Sequence, residues 1–309
     1  RQQQVGEREA NALSVRVELM ADCLAGVWAK NSNDRFNALE PGDIEEAMQA
    51  ASAIGDDRLA MPDLFGGDHG PTVANGIRCV KMDPVTILTV MGMATERLGL
   101  GATYTTTYYE PFHVARVFAT LDLMTDGRAA WNVVTSMNDN EARNMGQAAH
   151  GDHDRRYDRA DEFMEVVTGH WDSWQDDAIV ADRSTGLFAH PDKVRRLDYK
   201  GEFFSSRGPF TVPRSKQGHP VIIQAGQSGR GTTFAARWAE CVFVAYHDYD
   251  RAKIDYKLFK DKVVEAGRDP EQVAVCAGVY PVVAETRAEA EDLADARAAA
   301  TGDVGHLGG

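Results

Sequence analysis

From about residue 60 onward, short β-rich runs alternate with amphipathic helical patterns, and this alternation constrains the fold more than any other feature of the chain. Strands that alternate with helices indicate a parallel sheet or barrel, so we predict an α/β fold. The stretch 176–219 interrupts the pattern and is predicted to be an insertion that carries a hairpin. The predicted strands are 59–62, 99–107, 129–135, 220–225, 241–245 and 273–284, and the predicted helices are 84–97, 111–125, 155–175, 229–239, 250–266 and 287–299.

The charge balance of the chain argues against two classes of partner. Lys and Arg total 33 against 47 Asp and Glu, which leaves a net charge of −14 over 309 residues. Non-specific binding to nucleic acids or anionic membranes depends on cationic clusters, so neither partner is expected. No apolar run is long enough to span a membrane and no signal peptide opens the chain. Four cysteines without a CxxC pair are expected to be reduced thiols, and together these features predict a cytoplasmic protein.

Polar or small residues stand at the ends of the predicted strands, where a purely structural strand would stay apolar. In a βα barrel the carboxyl ends of the strands form one rim, where ligand-binding groups collect. Turns and N-caps also favour Asp, Ser, Thr and Asn, so a single residue of this kind carries little weight. Seven of them on one rim favour a ligand site: Asp63, Thr103, Thr105, Asn132, Ser136, Gln224 and Ser228.

The stretch "GLGATYTTTYYEPFHVARVFATLDLMTDGRAAWNVVTSMNDNEARNMG" resembles the luciferase-like flavin-dependent monooxygenases, nearest to the nitrilotriacetate, dibenzothiophene sulfone and pristinamycin monooxygenases. The resemblance continues through "RYDRADEFMEVV" and "KGEFFSSRGPFTVPRSKQGHPVIIQAGQSGRG" and covers residues 60–300 approximately. It implies a (β/α)8 TIM-type barrel that binds reduced FMN (FMNH2), which a separate NAD(P)H-dependent flavin reductase supplies. It also implies that O2 reacts at the flavin C4a position and that the resulting peroxide oxygenates a small organic, organosulfur or amine compound.

The resemblance also implies roles for individual residues. It assigns FMN binding to Asp63, Thr103, His153, Tyr157 and Ser228. Asn132, at a barrel strand end, and His113 are the candidate catalytic residues. Hydroxyl groups and a glycine-rich helix start at 229–231 can hold a phosphate, and Asn132 is predicted to donate a hydrogen bond near C4a in a dry pocket. Structural alternatives stay open: packing for Tyr157, a helix-end polar residue for His153, capping or packing for His113, and a satisfied strand-end amide for Asn132.

The stretch "HGDHDRRYDRADEF", from His150 to Phe163, is rich in charged side chains and imidazoles. Two histidines three residues apart could suit a metal ion, but no third ligand has a reason to converge there, so no metal site is predicted. His153 and Tyr157 lie one helical turn apart and are predicted to be the pair that faces the flavin. The other charges are predicted to form a solvated helix face: Asp154, Asp158, Arg159 and Asp161.

Residues 1–59 have a different texture, with helical patterns and no evident strand. They resemble the C-terminal part of a bacterial neutral zinc metallopeptidase family, in which "ELMAD" would make Glu18 a zinc ligand. Asp22, one helical turn farther on, would steady a histidine ligand. No HExxH occurs anywhere in the chain, and a single carboxylate does not hold catalytic zinc. We therefore predict an all-helical segment over 1–59, joined near residue 60 to a barrel segment over 60–309.

The barrel segment is predicted to be incomplete, with six of eight strands and without the family's first and last strands. Unpaired strand edges favour association with a partner, including a second copy of the chain. The leading hypothesis is a two-component FMNH2-dependent monooxygenase. The alternatives are a zinc metallopeptidase fragment and a non-catalytic fusion remnant.

Overall fold

The computed structural model describes residues 52–55, 70–74, 82–226, 228–246, 249–278 and 282–302. Four sequence predictions therefore lie outside the described residues: the zinc-peptidase residues Glu18 and Asp22, the strand at 59–62, and the flavin residue Asp63. The described strands are β1 (Ser52–Gly55), β2 (Gly99–Thr105), β3 (Ala129–Val134), β4 (Ile179–Asp182), β5 (Leu187–Ala189), β6 (Tyr199–Lys200), β7 (Ser205–Ser206), β8 (Val221–Gln224), β9 (Cys241–Val244) and β10 (Ala274–Ala277). The described α-helices are α1 (Gly70–Ala74), α2 (Pro84–Ala94), α3 (Pro111–Met124), α4 (Asp139–Asn144), α5 (His153–Trp171), α6 (Gly229–Trp238), α7 (Tyr249–Glu265) and α8 (Arg287–Gly302).

One six-stranded sheet organises the described part of the chain, in the order β1-β2-β3-β8-β9-β10. All five pairings are parallel, and the strands follow one another in space as they do in the sequence. Helices stand between most consecutive strands, which is the βα alternation of a TIM-type barrel. The carboxyl ends of all six strands consequently lie at the same edge of the sheet.

Five of the six predicted strands and all six predicted helices are confirmed at their places in the chain. The first strand is different, because the structure has β1 at Ser52–Gly55, where the sequence predicts helix and no strand. This segment is only four residues long and carries no β-strand periodicity of its own. It becomes a strand by pairing with β2, with Ser52 opposite Gly99, so a tertiary contact decides its conformation. The domain boundary near residue 60 stays a prediction.

The core lies between the sheet and helices α3 and α5, around Trp131 of β3. The Trp131 side chain is fully buried, and its indole N–H donates to the carbonyl of Tyr104 at 3.0 Å. Its ring packs against Phe118 of α3 at 5.4 Å and Phe163 of α5 at 6.0 Å. Because large rings from both helices interlock on one strand, α3 and α5 are held in fixed positions against the sheet.

The predicted insertion contains two small antiparallel hairpins, β4–β5 and β6–β7. Glu162 of α5 holds it by accepting the backbone N–H groups of residues 202–204. The buried imidazole of His170 bonds the Ser206 hydroxyl at 2.7 Å and lies between the rings of Phe112 and Phe210. Polar contacts therefore hold the insertion against α5, and the hydrophobic pattern of the sequence does not predict them.

Two cysteines that are far apart in the sequence meet on neighbouring strands. Cys241 opens β9 and Cys276 lies in β10, and their Sγ atoms are 3.3 Å apart as free thiols. Burial raises the pKa of Cys241 to about 12, so this thiol stays protonated.

None of the helices in the described ranges combines the length and apolar composition that a membrane crossing requires.

Candidate functional site

The innermost polar pair of the site comes from two neighbouring strands. Thr103 of β2 stands opposite Asn132 of β3, and the Asn132 amide Nδ2 donates to the Thr103 hydroxyl at 3.1 Å. Thr103 is buried, and the Asn132 Oδ1 atom is buried with no hydrogen-bond partner in the described part of the chain. Buried polar atoms are normally paired, so this free acceptor indicates a ligand that carries a donor.

A second polar pair stands nearer the rim, formed by Thr105 at the end of β2 and Ser136, two residues beyond the end of β3. The Ser136 hydroxyl donates to the Thr105 hydroxyl at 2.9 Å. Ser136 has a positive φ of 58°, a conformation that residues other than glycine adopt at some free-energy cost and that clusters at functional sites. Thr103, Thr105, Asn132 and Ser136 are therefore brought together at the carboxyl ends of the strands, as their positions in the sequence predict.

The start of helix α6 forms a concave surface of small residues next to this rim. Ser228 is the N-cap, and its hydroxyl accepts from the Gly231 N–H at 3.0 Å. A Cβ added at Gly229 would meet no atom within 4 Å, so space is open beside the first turn. The free N–H groups of a helix start, together with the positive end of the helix dipole, bind anions.

Tyr157 of α5 closes one side of this surface. Its side chain is 6% exposed, and its ring packs against Phe234 of α6 at 5.6 Å. The hydroxyl lies 3.0 Å from where a Cβ on Gly226 would be and 2.8 Å from where a Cβ on Gly231 would be. Both glycines are therefore required here because a side chain would collide with the hydroxyl. The Gly226 N–H is itself fixed by donating to the buried Gln224 side chain at 2.8 Å.

His153 lies at the exposed edge of the same group. Its Nε2 is 3.4 Å from the Ser228 hydroxyl oxygen, its Nδ1 is 2.7 Å from a carboxylate oxygen of Asp154, and its ring lies 5.1 Å from that of Tyr157. The structure thus brings together three residues that the sequence analysis selects from two distant segments. His113 is placed differently: its side chain is exposed in the first turn of α3, and no hydrogen bond joins it to the other described candidates.

The sequence analysis misses a group of side chains at the rim, which we call the rim cluster: Tyr108, Glu141, His150 and Arg156. The Tyr108 hydroxyl is 2.9 Å from His150 Nδ1, and His150 Nε2 is 3.9 Å from a carboxylate oxygen of Glu141. Burial and the Glu141 charge raise the pKa of Tyr108, against the lowering effect of Arg156. His150 and Arg156 belong to the charged stretch in the sequence, but nothing in its spacing indicates Tyr108 or Glu141 as partners.

The prediction of a solvated charged face on α5 is confirmed for the exposed Asp154 and Asp158, and it is wrong for Arg159 and Asp161, which are partly buried. Arg230 of α6 donates to both Asp158 and Asp161 at 2.8 Å, and this double ion pair joins the two helices. The Arg159 guanidinium lies 4.5 Å above the Phe204 ring and donates to the Thr106 carbonyl, and burial lowers its pKa. These contacts join α5 to α6 and to the insertion, while Asp158 and Asp154, the latter beside His153, stay exposed.

Two further observations limit the kinds of ligand that the site can hold. A cavity of about 450 Å³ opens beside Gly226 at the carboxyl ends of β8 and β9, and its lining includes Thr232, Tyr246 and Lys262. Among the residues that the structure describes, no group of three or more His, Cys, Asp or Glu side chains is arranged to hold a metal ion. The arrangement is suited to an anionic ligand with a polar planar part, held by hydroxyls and backbone N–H groups.

Comparison with known proteins places these residues in a family context. The sequence profile of the family described as "Luciferase-like monooxygenase" matches residues 23–306. The chain is 49% identical over 237 residues to dibenzothiophene-sulfone monooxygenase of Rhodococcus erythropolis, which covers 76% of this chain and 52% of the relative. It is 46% identical over 210 residues to nitrilotriacetate monooxygenase component A of Aminobacter aminovorans, which covers 68% of this chain and 46% of the relative.

A solved structure agrees in fold. Riboflavin lyase, solved with modified FMN and its substrate riboflavin, superposes with a TM-score of 0.74 at 32% identity, over 79% of this chain and 55% of that protein. The chain spans about half the length of the curated relatives that it matches. The family match over residues 23–306 includes the described strands, the rim and the α6 start, which carry the candidate site.

Proposed function

Because the chain belongs to the luciferase-like monooxygenase family, we propose that it forms the oxygenase part of a two-component enzyme that uses reduced FMN and O2 to oxygenate a small organic compound. The observation that carries this proposal is the convergence of Tyr157, Ser228 and the α6 start on one side of a polar rim whose Asn132 has a free buried acceptor. Relatives of this family are typically reduced-flavin enzymes, and these residues fit that cofactor.

The phosphate of FMN fits the α6 start. The Ser228 and Tyr157 hydroxyls can donate to phosphate oxygens, and the N–H groups of Gly229 and Arg230 belong to the unpaired donors of the first helical turn. The Gly226 and Gly231 positions leave the Tyr157 hydroxyl uncovered by side chains. His153 Nε2, which is 3.4 Å from the Ser228 hydroxyl oxygen, lies at the edge of this group and can contact a phosphate oxygen.

The polar edge of the isoalloxazine ring fits the strand ends. Asn132 Oδ1 offers an acceptor for a ring N–H, and its Nδ2 is already fixed by Thr103, so the amide cannot turn away. Bound reduced FMN would supply the electrons that split O2, with one oxygen atom entering the substrate and the other leaving as water. The contribution of the chain is to hold the ring and to exclude bulk water from it. Asp63 and His113 keep their proposed roles in flavin binding and catalysis.

The proposed partner is an NAD(P)H-dependent flavin reductase that supplies the reduced flavin. The name of the Aminobacter relative, component A of a monooxygenase, supports an enzyme of more than one component. The names of the two relatives mention a sulfone and an amine carboxylate, so we propose a small organosulfur or amine compound as the substrate class. No nucleic acid or membrane has a part in this proposal.

The first test compares reduced FMN with reduced riboflavin, which lacks the phosphate, by anaerobic ultrafiltration. We expect reduced FMN to bind at least about 10-fold more tightly, because charge-assisted hydrogen bonds contribute about 1.5–3 kcal/mol each. Tyr157→Phe should weaken reduced FMN binding about 10-fold and leave reduced riboflavin binding unchanged. Tyr199→Phe is the matched control, because its hydroxyl donates to Glu165 at 2.7 Å, away from this site. Absence of reduced FMN binding, or equal binding of both flavins, would contradict the proposal.

A further inference from the structure

Three of the buried polar side-chain atoms without a hydrogen-bond partner belong to the rim cluster, within the ranges that the structure describes. They are Glu141 Oε2, His150 Nε2 and Arg156 Nε. The His150 and Glu141 side chains are only 8% and 16% exposed. Each unpaired buried polar atom carries a free-energy cost, and three in one place indicate a ligand that pairs them.

The rim cluster adjoins the candidate flavin site without overlapping it. Tyr108 follows Thr105 by three residues at the carboxyl end of β2, beyond the Thr105–Ser136 hydrogen bond. Arg156 immediately precedes Tyr157 on α5, in the first turns of the helix. A ligand held by the rim cluster would therefore lie on the rim side of the flavin residues, where a substrate enters a βα barrel.

The hydrogen-bonding character of the free atoms describes the ligand. Arg156 Nε–H is always a donor. When Tyr108 donates to His150 Nδ1, the remaining His150 Nε2 carries a hydrogen and is a second donor. Glu141 Oε2 is an acceptor, and its 3.9 Å separation from His150 Nε2 is too long for a hydrogen bond between them. The cluster thus offers two donors and one acceptor.

The charges around the cluster exclude strongly charged ligands. Arg156 and Glu141 oppose one another, and Asp139 adds a further negative charge where its carboxylate accepts the His150 backbone N–H at 3.0 Å. An anionic group would be repelled by Glu141 and Asp139. A cationic group would be repelled by Arg156 and has no acceptor atom for the Arg156 and His150 hydrogens. An uncharged group avoids both repulsions.

We propose that the rim cluster binds an uncharged polar group of the substrate, one that presents both an acceptor oxygen and a donor hydrogen, as a carboxamide or a hydroxyl does. The acceptor oxygen takes the Arg156 and His150 hydrogens, and the donor hydrogen goes to Glu141. This assignment rests on the proposed function, since it places the cluster in the substrate site of that enzyme.

The experiment uses benzamide and benzoate as probes, because they differ only in the polar group. Their affinities for the full chain, with FMN added, are measured by ligand-observed NMR titration. We expect benzamide to bind at least about 10-fold more tightly than benzoate. Arg156→Gln should weaken benzamide binding about 10-fold, and Arg156→Lys should weaken it as much, because lysine keeps the charge but lacks the Nε–H.

A second variant tests the acceptor, and a third is the control. Glu141→Gln should narrow the preference for benzamide over benzoate at least about 3-fold, because the negative charge is removed. Arg155→Gln changes an exposed arginine that pairs with Glu202, and it should leave both affinities unchanged. Circular dichroism confirms that each variant is folded.

The subsite is refuted if the wild-type chain shows no preference for benzamide, if it binds neither probe, or if the Arg156 variants bind benzamide as the wild type does. Reduced FMN binding is measured on the same samples. If one of these benzamide results occurs while the wild-type chain still binds FMN, only the proposed subsite is refuted. If the wild-type chain does not bind FMN, the proposed function is refuted.

Discussion

At the scale of single residues, the site depends on where a side chain is absent as much as on where one is present. Gly226 and Gly231 approach the Tyr157 hydroxyl so closely that a Cβ at either position would lie within 3.0 Å of it. Asn132 has one amide atom fixed by Thr103 and the other free. The ligand-binding surface is therefore formed by hydroxyls, one amide and backbone N–H groups that glycine leaves accessible.

The variant Gly231→Ala, which adds a single Cβ atom, tests whether the Tyr157 and Ser228 hydroxyls bind the phosphate. Alanine is the better helix former, so local propensity favours the variant. The added Cβ, however, would lie 2.8 Å from the Tyr157 hydroxyl and 2.9 Å from the Ser228 hydroxyl. We expect reduced FMN binding to weaken at least about 10-fold, since two proposed phosphate ligands must move. Anaerobic ultrafiltration measures it, with Thr233→Ala on the exposed side of the same helix as control; unchanged binding in Gly231→Ala would refute the phosphate assignment.

At the scale of elements, polar contacts between α5 and its neighbours decide how the helices and the insertion are arranged. Arg230 joins α6 to α5 through Asp158 and Asp161, and Glu162 holds the backbone of residues 202–204. His170 ties the insertion to α5 through Ser206. The first turns of α5 and α6, which carry the proposed phosphate ligands, are therefore positioned by the rest of both helices.

The docking of the insertion predicts a pH dependence of stability. Burial lowers the pKa of His170, because the imidazolium loses hydration between Phe112 and Phe210. A lowered folded-state pKa means that the stabilisation is fully present above the ordinary histidine pKa of about 6.5 and is lost as the pH falls through the folded-state value. We expect the free energy of unfolding to be lower at pH 5.5 than at pH 8.

The variant His170→Asn separates this residue from other titrating groups. Asparagine retains a hydrogen-bonding side chain but does not titrate, so the difference in unfolding free energy between pH 8 and pH 5.5 should shrink. Urea unfolding monitored by circular dichroism at the two pH values measures the difference. His190→Asn, outside the aromatic contacts of His170, is the control. An equal difference in His170→Asn and wild type would show that His170 does not couple stability to pH.

At the scale of the whole molecule, cofactor binding and stability are linked. A ligand that binds only the folded state raises the free energy of unfolding by RT ln(1 + [L]/Kd), which is about 2.7 kcal/mol at 100 times Kd. We expect FMN at that concentration to raise the Tm by several degrees, and the same FMN concentration to give a smaller rise in Gly231→Ala. Scanning calorimetry measures both shifts. A Tm that does not respond to FMN would indicate that the chain does not bind the oxidised cofactor in its folded state.

Much of the architecture could be predicted from the sequence, because strand and helix patterns are local. The runs at 129–135 and 241–245 and the helix at 111–125 are recognisable from periodicity alone, and the structure has them. The strand Ser52–Gly55 could not be predicted, because its conformation depends on pairing with β2. Arg159 is assigned to a solvated face for the same reason: the Phe204 ring that covers it comes from the distant insertion.

The sequence by itself determined the α/β class, the family and the set of polar residues at the ends of the strands, because these are properties of neighbouring residues and of motif order. Only the tertiary structure decided which of those residues meet. It joined Tyr157 and His153 to Ser228, left the Asn132 Oδ1 atom free, and assembled Tyr108, Glu141 and His150 into one cluster. Such contacts follow from strand register and helix packing over long sequence separations, which no local pattern encodes.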